Sequence, residues 1–256
     1  MLQELLAGAV SDAEARLLTR PLKSVEAAAR TRAPALDALH ALAPAERVKI
    51  LAEIKRASPS RGALAAITDP AALAVSYETG GASAISVLTE GRRFHGSLTD
   101  LEQVRASVSI PILRKDFIGT PYQVYEARAA GADLVLLIVA ALDQTTLLSL
   151  HELISELGMT ALVETHSGDE VSRALDIGAT LVGVNARNLS TFELDANLFG
   201  TLADKIPSGV IRVAESAVKT ATDVAHYRAA GADVVLVGEA LVTSDPIRTL
   251  SEFLAV

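Results

Sequence analysis

The chain of 256 residues has no cysteine, which excludes disulfides, thiolate nucleophiles and cysteine metal ligands. It also lacks a long hydrophobic run: the longest, 134–142 (LVLLIVAAL), is too short to cross a bilayer as a helix. Positive charge is in deficit, with 23 Lys and Arg against 31 Asp and Glu and a formal net charge of −8. Neither a nucleic-acid nor an anionic-membrane surface is expected from that balance, although a single cleft can still be basic. No Pro/Gly/Ser-rich or charged tract serves as a linker, so residues 1–256 read as one domain. The first twenty residues mix Leu2, Leu5, Leu6 and Val10 with Glu4, Asp12 and Glu14. They lack the basic start and unbroken apolar stretch of a secretory signal and read as a short amphipathic helix of a cytoplasmic protein.

What is present is an internal echo. Four stretches have an apolar or alanine-rich helix ending in glycine, then a small residue, then strand formers: 79–88 (TGGASAISVL), 128–138 (RAAGADLVLLI), 175–184 (LDIGATLVGV) and 228–237 (RAAGADVVLV). Glycine past a helix end takes the left-handed conformation that closes the last turn. The runs that follow are continuous rather than alternating, as parallel strands covered on both faces require. Between the echoes lie four more strand candidates, at 50–55, 112–115, 160–164 and 210–215. Helices are expected near 70–78, 97–106, 121–130, 143–157, 169–176, 197–205, 220–230 and 245–254. Eight strands alternating with eight helices predict an α/β fold, a (β/α)8 TIM barrel, and residues 1–45 add an N-terminal helical extension. An open doubly wound sheet fits less well, because no Gly-x-Gly-x-x-Gly turn follows the first strand. The extension either plugs the barrel bottom or reaches the top and helps to close the site.

Barrel enzymes carry their chemistry at the C-terminal ends of the strands. Strand one ends in Glu53-Ile54-Lys55 followed by Ser58, strand three in Arg114-Lys115-Asp116, strand five in Glu164, strand six in Asn185 with Arg187, and strand seven in Glu215-Ser216. Any one of these polar ends reads first as a structural ion pair; several at one rim favour an active site, since charge on a buried strand is costly unless paired. Alternation puts Glu53 and Lys55 on the same side of their strand. Ser216 and Ala217 after strand seven, and Gly238, Glu239 and Ala240 before a short helical turn after strand eight, suggest a phosphate site; alone, each is also an ordinary turn. His166 lies close to Glu164, and His95 follows strand two, whereas His40, His151 and His226 read as surface helix residues. No His/Asp/Glu spacing suggests a metal, and none is predicted.

The motifs 52–62 (AEIKRASPSRG), 86–90 (SVLTE), 113–117 (LRKDF) with 121–123, 162–165 (LVET), 183–189 (GVNARNL) and 213–216 (VAES) together resemble indole-3-glycerol phosphate synthase, in family order from about residue 48 to the C-terminus. The resemblance implies conversion of 1-(2-carboxyphenylamino)-1-deoxyribulose 5-phosphate into indole-3-glycerol phosphate with loss of carbon dioxide and water, in tryptophan biosynthesis, without metal or organic cofactor. It implies Lys115 as general acid for ring closure, Glu164 as the carboxylate of proton transfer in dehydration, and Glu53 and Asn185 as polar catalytic-site residues. It places Lys55, Ser58, Phe117, Arg187, Ser216, Ala217, Gly238 and Glu239 at substrate- and phosphate-binding positions. The expected partner is the phosphorylated small molecule, and the expected assembly a monomer or weak homodimer.

Three further expectations follow. A lysine acid works best with its proton affinity near the working pH, so Lys115 is expected to be partly buried beside another cation, with Arg114 pointing away. Ala217 stands where the family usually has glycine, which requires a backbone outside the left-handed region. Gly119 replaces a larger apolar residue and is expected to loosen the loop after Phe117. The rival readings are a phosphoribosylanthranilate isomerase-like enzyme, disfavoured because that chemistry commonly uses a cysteine, and a non-catalytic phosphate-binding barrel.

Overall fold

The computed structural model describes residues 1–59, 61–188 and 193–256, so Ser60 and Leu189 of the motifs above lie outside the described residues. Eight parallel strands close into a barrel: β1 Lys49–Ile54, β2 Ala84–Leu88, β3 Ile112–Lys115, β4 Leu134–Ile138, β5 Thr160–Thr165, β6 Leu181–Asn185, β7 Ile211–Glu215 and β8 Val234–Val237. Each strand pairs with its neighbours in sequence, and β8 returns to β1. The echo glycines Gly81, Gly131, Gly178 and Gly231 have φ of 94°, 98°, 78° and 93°, the turn expected of each helix-to-strand junction.

The outer helices are α4 Pro70–Thr79, α5 Leu98–Arg105, α6 Pro121–Ala130, α7 Gln144–Glu156, α8 Gly168–Asp176, α9 Leu198–Ala203, α10 Ala221–Ala229 and α12 Pro246–Phe253, preceded by α1 Leu2–Thr19, α2 Leu22–Thr31 and α3 Ala38–Ala41. A four-residue helix, α11 Glu239–Val242, follows β8 at once. Asp69, Ser97, Thr120, Asp143, Ser167, Thr220 and Asp245 each accept a hydrogen bond from a backbone N–H of the helix they precede. Such caps satisfy donors that the first helical turn leaves open, and they fix where each loop at the barrel mouth ends.

Two apolar layers result. Outward-facing strand residues such as Ile50, Ile85, Val135 and Val182 pack under the helices, while Leu51, Leu113, Leu134, Leu162 and Val213 fill the barrel interior. Further up, β1, β3, β5, β6 and β7 carry polar residues, in register with their neighbours: Glu53 with Ser86, Leu88 with Lys115, Ile138 with Glu164 and Asn185 with Glu215.

The extension serves both ends of the barrel. Its last part runs beneath: the Leu36 N–H donates to Asp133 Oδ1 at 2.8 Å, just before β4, and Ala38 and Leu42 join the interior apolar cluster. Its first helix lies at the mouth, where Arg16 holds Glu126 of α6 through two hydrogen bonds of 2.6 and 2.7 Å and Asp12 holds Arg92 at 2.6 Å. Gly119 makes that docking possible. A Cβ there would lie 2.9 Å from Leu6 Cδ1 and 3.1 Å from Val10 Cγ2 of α1. The expectation of a loosened loop is therefore corrected: the Gly119 N–H is tied to Gln123 Oε1 at 2.9 Å, and its missing side chain admits α1.

Candidate active site

A cavity at the C-terminal mouth is lined by every position that the resemblance assigns to the site: Glu53, Lys55, Ser58, Lys115, Phe117, Glu164, Asn185, Arg187, Ser216, Ala217, Gly238 and Glu239. Its floor is an ion cluster drawn from four strands. Lys55 Nζ lies 2.5 Å from Glu53 Oε1, as same-side placement on β1 anticipates. Lys115 Nζ lies 3.0 Å from Glu215 Oε2 and 3.5 Å from Glu164 Oε2. Asn185 Oδ1 accepts from Ser216 Oγ at 2.8 Å and from the Arg187 N–H at 3.0 Å, which locks the amide's orientation. At the rim, Arg61 pairs with Glu239 at 2.7 Å, joining the loop after β1 to α11.

Arg114 points away from this cluster, fully buried between sheet and helices. It donates to the Gln123 carbonyl at 2.7 Å and to Asp116 Oδ2 at 3.0 Å, and Asp116 in turn accepts from the Phe117 N–H at 2.9 Å. The apolar wall holds Phe94 and Phe117, with ring centroids 6.2 Å apart, together with Leu5 of α1. Sequence reasoning named Glu215 as a strand end but gave it no part in the site. Its inward phase, two residues beyond Val213, is the signal that would have found it. Phe94 and Leu5 carry no such signal, because loop and helix packing brings them in.

Electrostatics divide the carboxylates. Burial opposes ionisation of Glu53, but Lys55 and Lys115 outweigh it and hold the carboxyl below its usual range. Glu164 is likewise lowered: burial works against it, and Lys115, His166 and Asn185 overcome that. Glu215 is pushed up to about 8, by burial first and by the charge of Glu164, against the pull of Lys115. The two carboxyls are thus pushed in opposite directions, Glu164 toward the ionised form and Glu215 toward holding its proton, as expected where two carboxyls share one cation.

A sequence profile described as indole-3-glycerol phosphate synthase matches residues 2–252. The chain belongs to the indole-3-glycerol phosphate synthase family. A protein of that name from Leifsonia xyli subsp. xyli is 74% identical over 253 residues, covering 99% of this chain and 97% of its own length. One from Mycobacteroides abscessus is 57% identical over 247 residues, covering 96% and 90%. Among solved structures, an N-acetylmannosamine-6-phosphate 2-epimerase from Clostridium perfringens superposes with a TM-score of 0.60 at 14% identity, over 76% of this chain and 88% of that one; this likeness concerns the fold alone. As a member of the family, the chain is a carbon–carbon lyase of tryptophan biosynthesis.

Two expectations about this synthase-family site are corrected. Lys115 is not a cation-neighboured lysine with a depressed proton affinity. Burial does press it downward, but Glu215, Glu164 and Glu53 surround it and raise it well above the ordinary lysine value. Ala217 does not avoid the left-handed region: Ser216 and Ala217 have φ of 72° and 59°. The segment is held there by the Tyr227 hydroxyl, which donates to the Ser216 carbonyl at 3.2 Å, and by the Ser216–Asn185 bond.

Left-handed backbone costs a non-glycine residue about 1–2 kcal/mol, partly offset by the lower unfolded-state entropy of alanine. Ala217→Gly should therefore stabilise the protein by about 0.5–1 kcal/mol, raising Tm by roughly 2 °C. An unchanged or lower melting temperature would show that the strain is absent.

Gly183 on β6 makes room for the Glu215 carboxylate, since a Cβ there would collide with Glu215 Oε1. Gly183→Ala should cost about 1–3 kcal/mol by overpacking and displace Glu215 from Lys115. Urea unfolding tests this, and a midpoint equal to wild type would contradict the packing described.

Proposed function

We propose that the chain acts as one domain, residues 1–256, to close the indole ring of 1-(2-carboxyphenylamino)-1-deoxyribulose 5-phosphate and release indole-3-glycerol phosphate, carbon dioxide and water. The observation that carries the residue assignments is Lys115 Nζ standing at the cavity floor between Glu215 and Glu164, at 3.0 and 3.5 Å.

In this reading the aromatic carbon bearing the carboxylate attacks the ribulose carbonyl carbon. Lys115 donates the proton that converts the new alkoxide to a hydroxyl. Its raised affinity suits this step, because an alkoxide is more basic than an amine and takes the proton once charge has developed. Until then the ammonium stabilises the oxygen electrostatically. Loss of carbon dioxide restores the aromatic ring. In the dehydration Lys115, recharged with a second proton, gives it to the hydroxyl, which leaves as water, and Glu164, ionised at neutral pH, accepts the proton lost from the adjacent methylene.

Glu53 and Asn185 position the reacting groups, Glu53 by holding Lys55 and Asn185 through its locked amide. Lys55 and Arg187 meet the anionic groups, Ser58 lines the same wall, and Phe117 packs against the substrate's ring. The backbone at Ser216, Ala217, Gly238 and Glu239 forms the phosphate end. The residues supply acid, base and anchors, so the reaction is assigned no metal or organic cofactor.

The protein is placed in the cytoplasm as a monomer or weak homodimer, with no nucleic-acid or membrane partner. Among the described residues no helix is long and apolar enough to cross a membrane.

Turnover of the purified protein with the carboxyphenylamino-deoxyribulose phosphate, followed by indole fluorescence, tests the proposal. Product formation is expected. Folded protein that binds the substrate but yields no indole-3-glycerol phosphate would return the reading to a non-catalytic phosphate-binding barrel.

A further inference from the structure

Beside Glu164, and outside the residues that line the cavity, stands an imidazole that the reaction above does not use. His166 Nε2 is buried and makes no hydrogen bond, and it lies 3.4 Å from Glu164 Oε1. The other edge of the ring is partnered: Nδ1 lies 3.2 Å from Glu170 Oε2, and the same oxygen accepts the His166 backbone N–H at 2.8 Å. Glu170 sits in the first turn of α8, and its side chain keeps 18% of its surface exposed, against 2% for Glu164. A buried nitrogen left without a partner calls for an explanation, and this one lies beside a carboxylate assigned to proton transfer.

We propose that His166 is a proton relay between solvent and Glu164. It takes a proton at Nδ1 from water beside Glu170 and releases the proton on Nε2 to Glu164 Oε1. The inference rests on the part assigned to Glu164 in the proposed function.

The stoichiometry supplies the need. The carbonyl oxygen leaves as water and consumes two protons, the methylene returns one, and the carboxylate leaves as neutral carbon dioxide. Each turnover therefore draws one proton from solvent into a site whose base is buried and whose acid is only partly exposed. Glu164 Oε2 is 3.5 Å from Lys115 Nζ, so a proton entering at Glu164 can continue to the lysine that gave one up.

The groups facing the imidazole are Glu164 on β5, Glu170 on α8 and Glu215 on β7, and Lys205 after α9 approaches Gly168 in the same turn. Burial disfavours the charged ring, but the hydrogen bond to Glu170 and the charges of Glu164, Glu170 and Glu215 outweigh it and raise its proton affinity. A raised histidine keeps its proton to higher pH than usual, which suits inward delivery at neutral and mildly alkaline pH. The role is one of positioning and supply: among the residues lining the cavity His166 does not appear.

The test compares pH profiles of kcat and KM for wild type, His166→Gln and Glu170→Gln, with and without added imidazole. Glu170→Gln keeps an oxygen acceptor for the backbone N–H and guards against misfolding of the histidine variant. His166→Gln is expected to lower kcat about tenfold near pH 8, with KM nearly unchanged and the gap closing toward pH 6, where protons reach Glu164 directly. Added imidazole should restore the rate in proportion to its concentration, and Glu170→Gln should show a smaller loss of the same shape. A wild-type profile for His166→Gln, or a loss that is equal at every pH or unmoved by imidazole, would overturn the relay. Glu164→Gln, assayed alongside, separates the two readings. If it is inactive while His166→Gln matches wild type, only the relay fails; if it is fully active, the role of Glu164 itself is wrong.

Discussion

Lys115→Met is expected to fold and to lose turnover by about 10³–10⁴-fold, because it removes both the cation over the reacting oxygen and the proton that oxygen must take. The substitution keeps the length of the side chain and deletes the ammonium that bridges Glu164 and Glu215. Removing one partner of a buried ion pair usually costs about 3–5 kcal/mol, and the loss should be smaller here because the cluster opens onto the cavity and its carboxyls can take up protons. The variant should therefore be less stable than wild type at pH 8 and approach it as pH falls and the carboxyls protonate. Circular dichroism, urea unfolding at two pH values and the indole fluorescence assay measure all three effects. Near-wild-type turnover, or an unfolded chain at pH 6, would remove Lys115 from the role given to it.

Glu164→Gln should retain substrate affinity while kcat falls by about 10²–10³-fold, since the amide preserves shape but cannot accept the methylene proton at neutral pH. It carries a second signature. The charge of Glu164 is one cause of the raised ionisation of Glu215, so its removal relieves like-charge repulsion and moves the group titrating near 8 toward lower pH. Burial still holds that group above the ordinary carboxyl value. A variant with unchanged kcat would take Glu164 out of the mechanism. One with reduced kcat but an unmoved ionisation would show that Glu164 and Glu215 do not sense each other.

Alternation placed Glu53 and Lys55 on one side of their strand, and Lys115 and Glu164 were legible as polar strand ends; all four line the cavity. Residue types also announced the local turns. The Ser, Thr and Asp caps before the outer helices and the glycines after them sit where helix-end chemistry requires. The environment of Lys115 was not legible. Its carboxylate neighbours lie 49 and 100 residues away in the chain, on β5 and β7, and no local pattern says which inward groups will meet. The left-handed backbone at Ala217 was also hidden, because alanine normally signals the opposite and the Tyr227 hydroxyl that braces the turn comes from the next helix.

The sequence by itself determined the order of strands and helices, the barrel that this order closes, and the polar residues that end the strands at one rim. These depend on periodicity and on chain ends, which are local properties of the polypeptide. Only the tertiary structure decided that Lys115 is a strongly held cation among three carboxyl groups, that Glu164 and Glu215 are pushed toward opposite protonation, and that the N-terminal extension covers the mouth with α1 and the bottom with residues 36–42. Those outcomes depend on through-space distance and on burial, and both are fixed when the barrel closes and brings residues far apart in the chain to one floor.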